Sequence, residues 1–248
     1  MRSSLATRWL GVGLASCLAV VTLALALTGR LALYIAPSSN WFAVSMAVLL
    51  LVGAVASFAL PLGAEEDHGH DHDHDHEDRR HPVAGAASVA GGVIASGVAL
   101  TILLVPPASL SAEIATTRDV GSAPLFAGAD LVSLATHGDT TQFGVGDWAS
   151  VFATATNPDA FEGDAVTLTG FVTPAKSSGS FELTRLVITH CVIDAQVATL
   201  PVTTTTGFPG NGRWVSITGT VRTASDGTLE IDATHVKAIP EPRDPYEY

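Results

Sequence analysis

Charged residues are scarce in this chain of 248 amino acids, and the two signs are unequal. They make up 15% of the residues, against about 25% in an ordinary soluble domain. There are 12 lysines and arginines and 24 aspartates and glutamates, so the formal net charge is −12. So few cations give no case for a nucleic-acid-binding surface. Because 47% of the residues are hydrophobic, the composition instead favours a membrane protein.

Cysteine is also nearly absent. Cys17 lies in an apolar run and Cys191 lies far along the chain in a polar region, which excludes a disulfide framework. A nucleophilic role for Cys191 would need a neighbouring base. His137, His190 and His235 are candidates, but their spacing indicates no catalytic triad. We therefore expect that the protein is not an enzyme.

Three apolar runs predict three membrane-spanning helices, at about 9–28, 41–60 and 83–105. Twenty helical residues cover about 30 Å, which is the thickness of the hydrocarbon core. The third run ends at Pro106-Pro107, because proline cannot continue a helix. A signal peptide is the alternative for the first run. It is disfavoured because its apolar part would be shorter and because a second span follows almost at once.

The predicted spans have no ionisable residue except Cys17. A transport route needs polar groups within the bilayer, so a pore or carrier built from this chain alone is disfavoured. The third run carries two ridges of small residues at helical spacing, formed by Ser88, Gly92 and Ser96 and by Ala87, Gly91 and Ala95. Such ridges allow close helix packing, either on the chain's own spans or on a partner membrane protein.

Arginines near the spans predict the orientation. One side of the membrane would carry Arg2, Arg8, Arg79 and Arg80. The other side would carry Arg30 alone. The positive-inside rule then places the N-terminus and the loop 65–81 in the cytoplasm, and three spans place everything after Pro107 outside the cell.

The cytoplasmic loop 65–81 is rich in histidine and acids. Its histidines are His68, His70, His72, His74, His76 and His81. Neutral imidazole is a preferred ligand of zinc, copper and nickel, so the tract predicts reversible binding of a divalent transition metal, with zinc first. Nickel, cobalt and copper follow zinc as candidates. The alternative is a solvated low-complexity linker between two spans.

The C-terminal third changes to strand periodicity. Residues 108–160 read as a linker with a short helix at 147–155 that begins at Asp147. From 161 to 248, five segments rich in Val, Ile and Thr predict an OB-like β-barrel, with a five-stranded open sandwich as the alternative. Gly170 suits a bulge that bends the first strand. The fold class is therefore an α + β membrane protein, with three transmembrane helices followed by an extracytoplasmic five-stranded barrel.

One cluster in the barrel could bind a metal. His190, Cys191 and Asp194 fall within five positions where the second strand ends. Imidazole, thiolate and carboxylate together suit a transition metal. Alternatively, Cys191 is a small packing residue and His190 a surface residue. The C-terminal domain has few basic residues and is predicted to lie outside the cell, which argues against the nucleic-acid binding that many such barrels perform.

The order of these features resembles a known family. Two spans joined through Tyr34–Pro37, a His/Asp loop, a third span and the barrel motif R-x-x-I-x-x-C-x-x-D-A are similar to the YcgQ-like permease subunits. That motif is formed by Arg185, Ile188, Cys191, Asp194 and Ala195. The family pattern has two adjacent cysteines, and His190 replaces the first here. The resemblance implies a partner of the YcgR-like multi-span permeases. It also favours the interpretation of the His190, Cys191 and Asp194 cluster as a metal site.

Three functional hypotheses follow. The first is an accessory subunit of a two-component membrane permease that acts in divalent metal transport or homeostasis. The second is a membrane-anchored extracytoplasmic redox or metal-binding protein that uses Cys191. The third is an envelope scaffold whose barrel binds other proteins. The expected partners are the permease, the metal ion and the lipid bilayer, and nucleic acid is not expected.

Overall fold

The structure is a computed structural model that describes residues 2–59, 90–98, 101, 140–175 and 179–248. The chain divides into two compact units. A helical unit comprises Met1–Ala32 and Pro37–Pro107. A barrel unit comprises Leu33–Ala36 and Ala108–Tyr248, so a short segment from the N-terminal part of the chain belongs to the barrel unit.

Two long apolar helices make up most of the described part of the helical unit. α1 spans Arg2–Leu27 and α2 spans Asn40–Ala59. Within the described residues these are the two helices long and apolar enough to cross a membrane, which matches the first two predicted spans. Few of their apolar side chains are buried. α1 ends before Gly29, whose positive φ of 69° turns the chain out of the helix.

The third predicted span, 83–105, lies largely outside the described residues. Its described part, 90–98 and 101, is helical. A Cβ added at Gly92 would lie 3.0 Å from Leu10 Cδ1, so this helix approaches α1 closely. This contact favours packing of the Gly92 ridge on the chain's own first span. Crossing of the membrane by this segment stays a prediction.

Five strands close into a barrel in the barrel unit. They are β1 Ala165–Pro174, β2 Ser180–Val187, β3 Gln196–Thr204, β4 Trp214–Thr223 and β5 Leu229–Ala238. Their order is β1-β4-β5-β3-β2, and pairing of β1 with β2 closes the ring. Only the β3–β5 contact within the ring is parallel. The predicted barrel is thus confirmed, and the open sandwich is wrong because both edges of the sheet meet.

The bulge does not lie at Gly170, where the sequence predicts it. The register of β1 passes Gly170 without a shift, whereas β4 shifts against β5 between Thr218 and Gly219. Gly170 is needed for a different reason. A Cβ there would lie 2.6 Å from the carbonyl oxygen of Thr184, so β1 and β2 can approach each other only through a glycine.

The short helix packs into the barrel unit instead of standing in a linker. α3 spans Val145–Thr154, two residues earlier than predicted at its start. Its N-cap is Gly144, and Asp147 lies in the first turn, where its Oδ2 accepts the Gly144 N–H at 3.0 Å. Trp148 and Val151 are completely buried in the barrel core. The barrel's core therefore begins before residue 161.

A second apolar cluster lies beside the main core. Its buried members are Phe171, Leu186, Ile188, Ala195 and Tyr246, with Leu33, Val192, Val197 and Trp214 packed against them. Tyr246 belongs to β6, Tyr246–Glu247, which pairs in parallel with the end of β2. Two residues give no periodicity, so the sequence does not predict this strand. The cluster joins the N-terminal segment, the end of β2 and the C-terminal strand.

Candidate functional site

The turn after β2 is organised by one carboxylate. Asp194 Oδ1 accepts the N–H of Thr189 at 3.1 Å, and Oδ2 accepts those of His190 at 2.9 Å and Cys191 at 3.1 Å. A 3-10 turn, Val192–Asp194, follows directly. An acidic residue three positions after the start of a turn can reach back to the free N–H groups there. The role of Asp194 is therefore to hold the main chain of this turn.

Electrostatics support that role of Asp194. Desolvation acts to raise the pKa of its carboxyl, but the N–H donors of Cys191, Thr189 and His190 and the charge of His190 outweigh it. The pKa is consequently lowered from its ordinary value of 3.8. His190 Nδ1 lies 3.4 Å from Asp194 Oδ2, and the imidazole is largely exposed. The carboxylate is thus ionised at neutral pH and engaged by the main chain.

The same turn pairs with the segment between α1 and α2. Ile35 and Cys191 form an antiparallel bridge. The Ala36 N–H donates to the carbonyl of His190 at 3.0 Å, and the Val192 N–H donates to that of Tyr34 at 2.8 Å. Tyr34–Ala36 and the cysteine motif, which are more than 150 residues apart, therefore meet at an isolated antiparallel β-bridge.

A second carboxylate, Glu247, holds the start of α3. Its Oε1 accepts the Val145 N–H at 3.0 Å, and its Oε2 accepts the Gly146 N–H at 2.7 Å. Arg185 Nε lies 3.9 Å from Oε1. Burial raises the pKa of Glu247 from its ordinary value of 4.5, and the two N–H donors and Arg185 only partly offset that effect. We call Gly144–Asp147 with Arg185 and Glu247 the C-terminal clasp.

Arg185 ties the clasp to the barrel wall. Its Nη2 donates to the carbonyls of Asp244 at 3.0 Å and Tyr246 at 3.1 Å, and its Nη1 donates to that of Thr169 at 3.3 Å. The guanidinium also lies 5.0 Å from the centre of the Trp214 ring, in cation–π contact. Desolvation lowers the pKa of Arg185, while the charge of Glu247 raises it. Arg185, the first residue of the R-x-x-I-x-x-C-x-x-D-A sequence, is thus a buried structural residue.

The structure brings only some of the predicted metal ligands into view. The histidines of the tract, His68, His70, His72, His74, His76 and His81, lie outside the described residues, as does His137. His190, Cys191 and Asp194 meet in one turn, but Asp194 is engaged by three N–H groups. Across the described ranges, no three His, Cys, Asp or Glu side chains are grouped to hold a metal ion. Metal binding stays a prediction.

The capping acids and the C-terminal clasp differ in how far the sequence reveals them. Asp147 and Asp194 each follow the start of a turn by three residues, and that spacing is a capping signal. The clasp has no such signal, because Glu247 lies about 100 residues from Val145. Cys191 is a free cysteine and is partly exposed.

Comparisons with known proteins identify both parts of the chain. Residues 14–121 match the DUF1980 N-terminal domain, and residues 138–248 match the DUF1980 C-terminal domain. No curated protein matches the chain. A solved structure of the OBody AM1L10 bound to hen egg-white lysozyme is 14% identical, with 34% of this chain and 86% of that chain covered and a TM-score of 0.24. Asparaginyl-tRNA synthetase from Pyrococcus horikoshii, complexed with asparaginyl-adenylate, is 19% identical, with coverages of 36% and 23% and a TM-score of 0.23.

Proposed function

This chain belongs to the DUF1980 family, and from that premise we propose that it is the accessory subunit of a two-component membrane permease for a divalent metal, zinc first. The observation that carries the proposal is the histidine tract. Six imidazoles within 14 residues, separated mostly by acids, can offer three or four ligands to one metal ion without a prearranged site. The tract collects metal on one side of the membrane for a partner that moves it.

The proposed topology has three spans, with the tract in the cytoplasm and the barrel outside. Leu33–Ala36 connects α1 to α2 in the chain and belongs to the barrel unit. If both helices cross the bilayer, this connection and the barrel lie on the same side. The chain then needs an odd number of crossings between α2 and the barrel. The apolar run 83–105 supplies one.

The transport route itself is assigned to a partner. The predicted spans contain no ionisable residue except Cys17, and transport routes usually need polar groups in the bilayer. A multi-span permease would supply those groups. The barrel, on the outer side, would contact that permease.

Zinc binding by the full chain in detergent tests the metal half of the proposal. A competing chelator dye should report binding at neutral pH that weakens below about pH 6, as protons compete for imidazoles with an ordinary pKa near 6.5. Replacement of the six tract histidines by glutamine should abolish it. The matched control, Asp71, Asp73 and Asp75 changed to asparagine, keeps every imidazole and should retain most of the affinity. Equal zinc binding by wild type and the histidine variant would contradict the assignment of the metal site to the tract.

Recovery of the partner tests the permease half. Purification of the tagged full chain from its native membrane in mild detergent should yield a multi-span membrane protein. The glutamine variant of the tract should recover the same partner without metal, since the tract is not the proposed contact. A monodisperse protein that crosslinks to no multi-span partner would contradict the proposal.

A second function, an extracytoplasmic scaffold, is favoured by one observation. Asp194 serves the main chain of its turn, and Arg185 serves the C-terminal clasp. The residue types of the barrel motif can thus be explained by folding alone. A redox role for Cys191 predicts a thiol that reacts with a membrane-impermeant reagent at neutral pH, and an unreactive thiol removes that alternative.

A further inference from the structure

The C-terminal strand β6 is bound to the barrel in the way that a peptide ligand is bound. Its two residues pair in parallel with Leu186 and Val187 at the end of β2. The Ile188 N–H also donates to the carbonyl of Glu247 at 2.8 Å. Addition of a short extended segment to the edge of a sheet is a common mode of peptide recognition. The end of β2 therefore serves as a docking edge for the chain's own C-terminus.

Three further contacts select the residues of this segment. Arg185 Nη2 donates to the main-chain carbonyls of Asp244 and Tyr246. The Tyr246 side chain is 2% exposed and packs in the second apolar cluster. The Glu247 carboxylate accepts two N–H groups at the start of α3. We call the surface that makes these contacts the strand-docking groove, which is formed by Val145, Gly146, Arg185, Leu186, Val187 and Ile188.

The chain's own strand does not satisfy the strand-docking groove completely. Within the described part of the chain, Arg185 Nε is buried and has no hydrogen-bond partner, and it lies 3.9 Å from Glu247 Oε1. The Glu247 charge is itself largely buried, and its hydrogen bonds and Arg185 only partly offset the cost of that burial. A buried donor without an acceptor and a buried charge both lower the free energy with which the strand is held.

The segment 239–245, which tethers β6 to β5, favours an extended conformation. Three of its seven residues are prolines: Pro240, Pro242 and Pro245. Proline fixes its own φ and also biases the residue before it towards extended conformations. The three prolines and the three residues that precede them make up six of the seven positions. In the polyproline conformation that this sequence favours, the tether would be about 20 Å long.

The ends of the tether lie much closer together than that in the structure. At one end, the Ile239 N–H donates to the carbonyl of Trp214 at 2.9 Å. At the other end, Asp244 is held by Arg185, whose guanidinium stacks on the same Trp214 ring. Only β1 lies between β4, which begins at Trp214, and β2, so the two ends are about two strand spacings apart, roughly 10 Å. The tether therefore folds back on itself, against the extended preference of its prolines.

We propose that the C-terminal strand is exchangeable and that the strand-docking groove also takes the C-terminal strand of a second copy of this chain. The groove fits an extended segment in which an acid follows an aromatic residue, and every copy carries that segment as Tyr246–Glu247. The closed and the exchanged forms make the same contacts in the groove, so they differ in the tether and in the cost of association. An extended tether favours the exchanged form. Reciprocal exchange fills both grooves and closes a symmetric pair.

Photochemical crosslinking within the full chain tests the proposal. Tyr246→p-azidophenylalanine places a light-activated group in the groove and keeps the aromatic ring. Phe208→p-azidophenylalanine is the matched control, because Phe208 belongs to the same barrel unit and packs on Phe181, outside the groove. Each protein is co-expressed with two different N-terminal tags, which leaves the C-terminus native. The membranes are dissolved in mild detergent and illuminated.

Position 246 should give covalent dimers that carry both tags, and the crosslinked peptide should contain 185–188 of the other copy. Position 208 should give intramolecular products alone. Intramolecular products alone from position 246 would overturn the proposal, because the strand then stays in its own barrel. Dimers from both positions in equal amounts, or dimers from 246 that map outside the groove, indicate general association of barrels and also overturn it.

A second probe in the same strand covers a failure of the first variant to fold. Tyr248 is 49% exposed, so Tyr248→p-azidophenylalanine disturbs the packing of the barrel less than a change at Tyr246. This probe should also give dimers that carry both tags and that map beside the groove of the other copy. Products confined to one copy would contradict strand exchange, whatever the result at position 246.

Discussion

Asp194 and Glu247 receive the same kind of hydrogen bond in opposite surroundings. Each carboxylate accepts backbone N–H groups at the start of a helical turn. Asp194 lies near the surface and its pKa is lowered, whereas Glu247 is largely buried and its pKa is raised. Burial therefore outweighs the hydrogen bonds at Glu247 but not at Asp194. Both acids serve the fold, which leaves the histidine tract as the stronger candidate for metal.

Removal of Glu247 should have the largest effect on stability. Glu247→Ala deprives two N–H groups of α3 of their acceptor and leaves the buried Arg185 without its nearest carboxylate. Loss of one partner of a buried ion pair is strongly destabilising. Because Glu247 is partly exposed, we expect a loss at the low end of the usual range, about 3 kcal/mol. Denaturant unfolding of the full chain in detergent, followed by tryptophan fluorescence, measures it.

Glu230→Ala is the matched control for that experiment. Glu230 is a partly exposed acid of β5, so its removal should change the free energy of unfolding by less than about 0.5 kcal/mol. Equal effects of the two substitutions would mean that the C-terminal clasp contributes nothing to stability.

Removal of Asp194 should have a smaller effect. Asp194→Ala leaves three backbone N–H groups without their acceptor, but the turn is near water, which can replace it. The loss typical of a cap is about 1 kcal/mol. Asp194→Asn keeps one carbonyl acceptor and should retain part of the stability, as measured by the same unfolding assay. If alanine and asparagine behave as wild type does, the turn is not held by this side chain.

The pH dependence of stability should separate the two carboxylates by sign. The lowered pKa of Asp194 gives stability that is present above pH 3.8 and is lost as the pH falls through the folded-state value. The raised pKa of Glu247 has the opposite consequence, because stability falls as the pH rises above 4.5 towards the folded-state value. The free energy of unfolding is measured at several acidic pH values for wild type, Asp194→Asn and Glu247→Gln. The difference between wild type and each variant gives the pH dependence that belongs to that carboxylate. Slopes of the same sign would contradict the assignment.

Local patterns predicted the strands and the first two helices well. Alternation of Val, Ile and Thr places side chains on two faces of a strand, so the sequence predicts the five barrel strands. The bulge was predicted at the wrong glycine, and the clasp was not predicted. Gly170 and Gly219 look alike in sequence, and which of them shifts the register depends on the facing strand. Glu247 meets Gly146 only after the barrel has formed.

The His190 cluster also shows that tertiary contacts cannot be predicted from a local sequence pattern. Histidine, cysteine and aspartate within five residues suit a metal by chemistry, and the sequence cannot say whether their lone pairs are available. In the structure, the Asp194 oxygens accept three N–H groups. A capping signal, an acid three residues after a turn begins, was present at Asp194 and competes with the metal interpretation.

The metal content of two variants tests the central claim most directly. Full-length protein purified with its metal is compared with a variant whose six tract histidines are glutamine and with one in which His190, Cys191 and Asp194 are alanine. The tract variant should lose its metal, while the triple alanine variant should keep the wild-type amount, although it is less stable. Metal that survives in the tract variant and disappears from the triple variant would contradict the account and assign the site to the barrel.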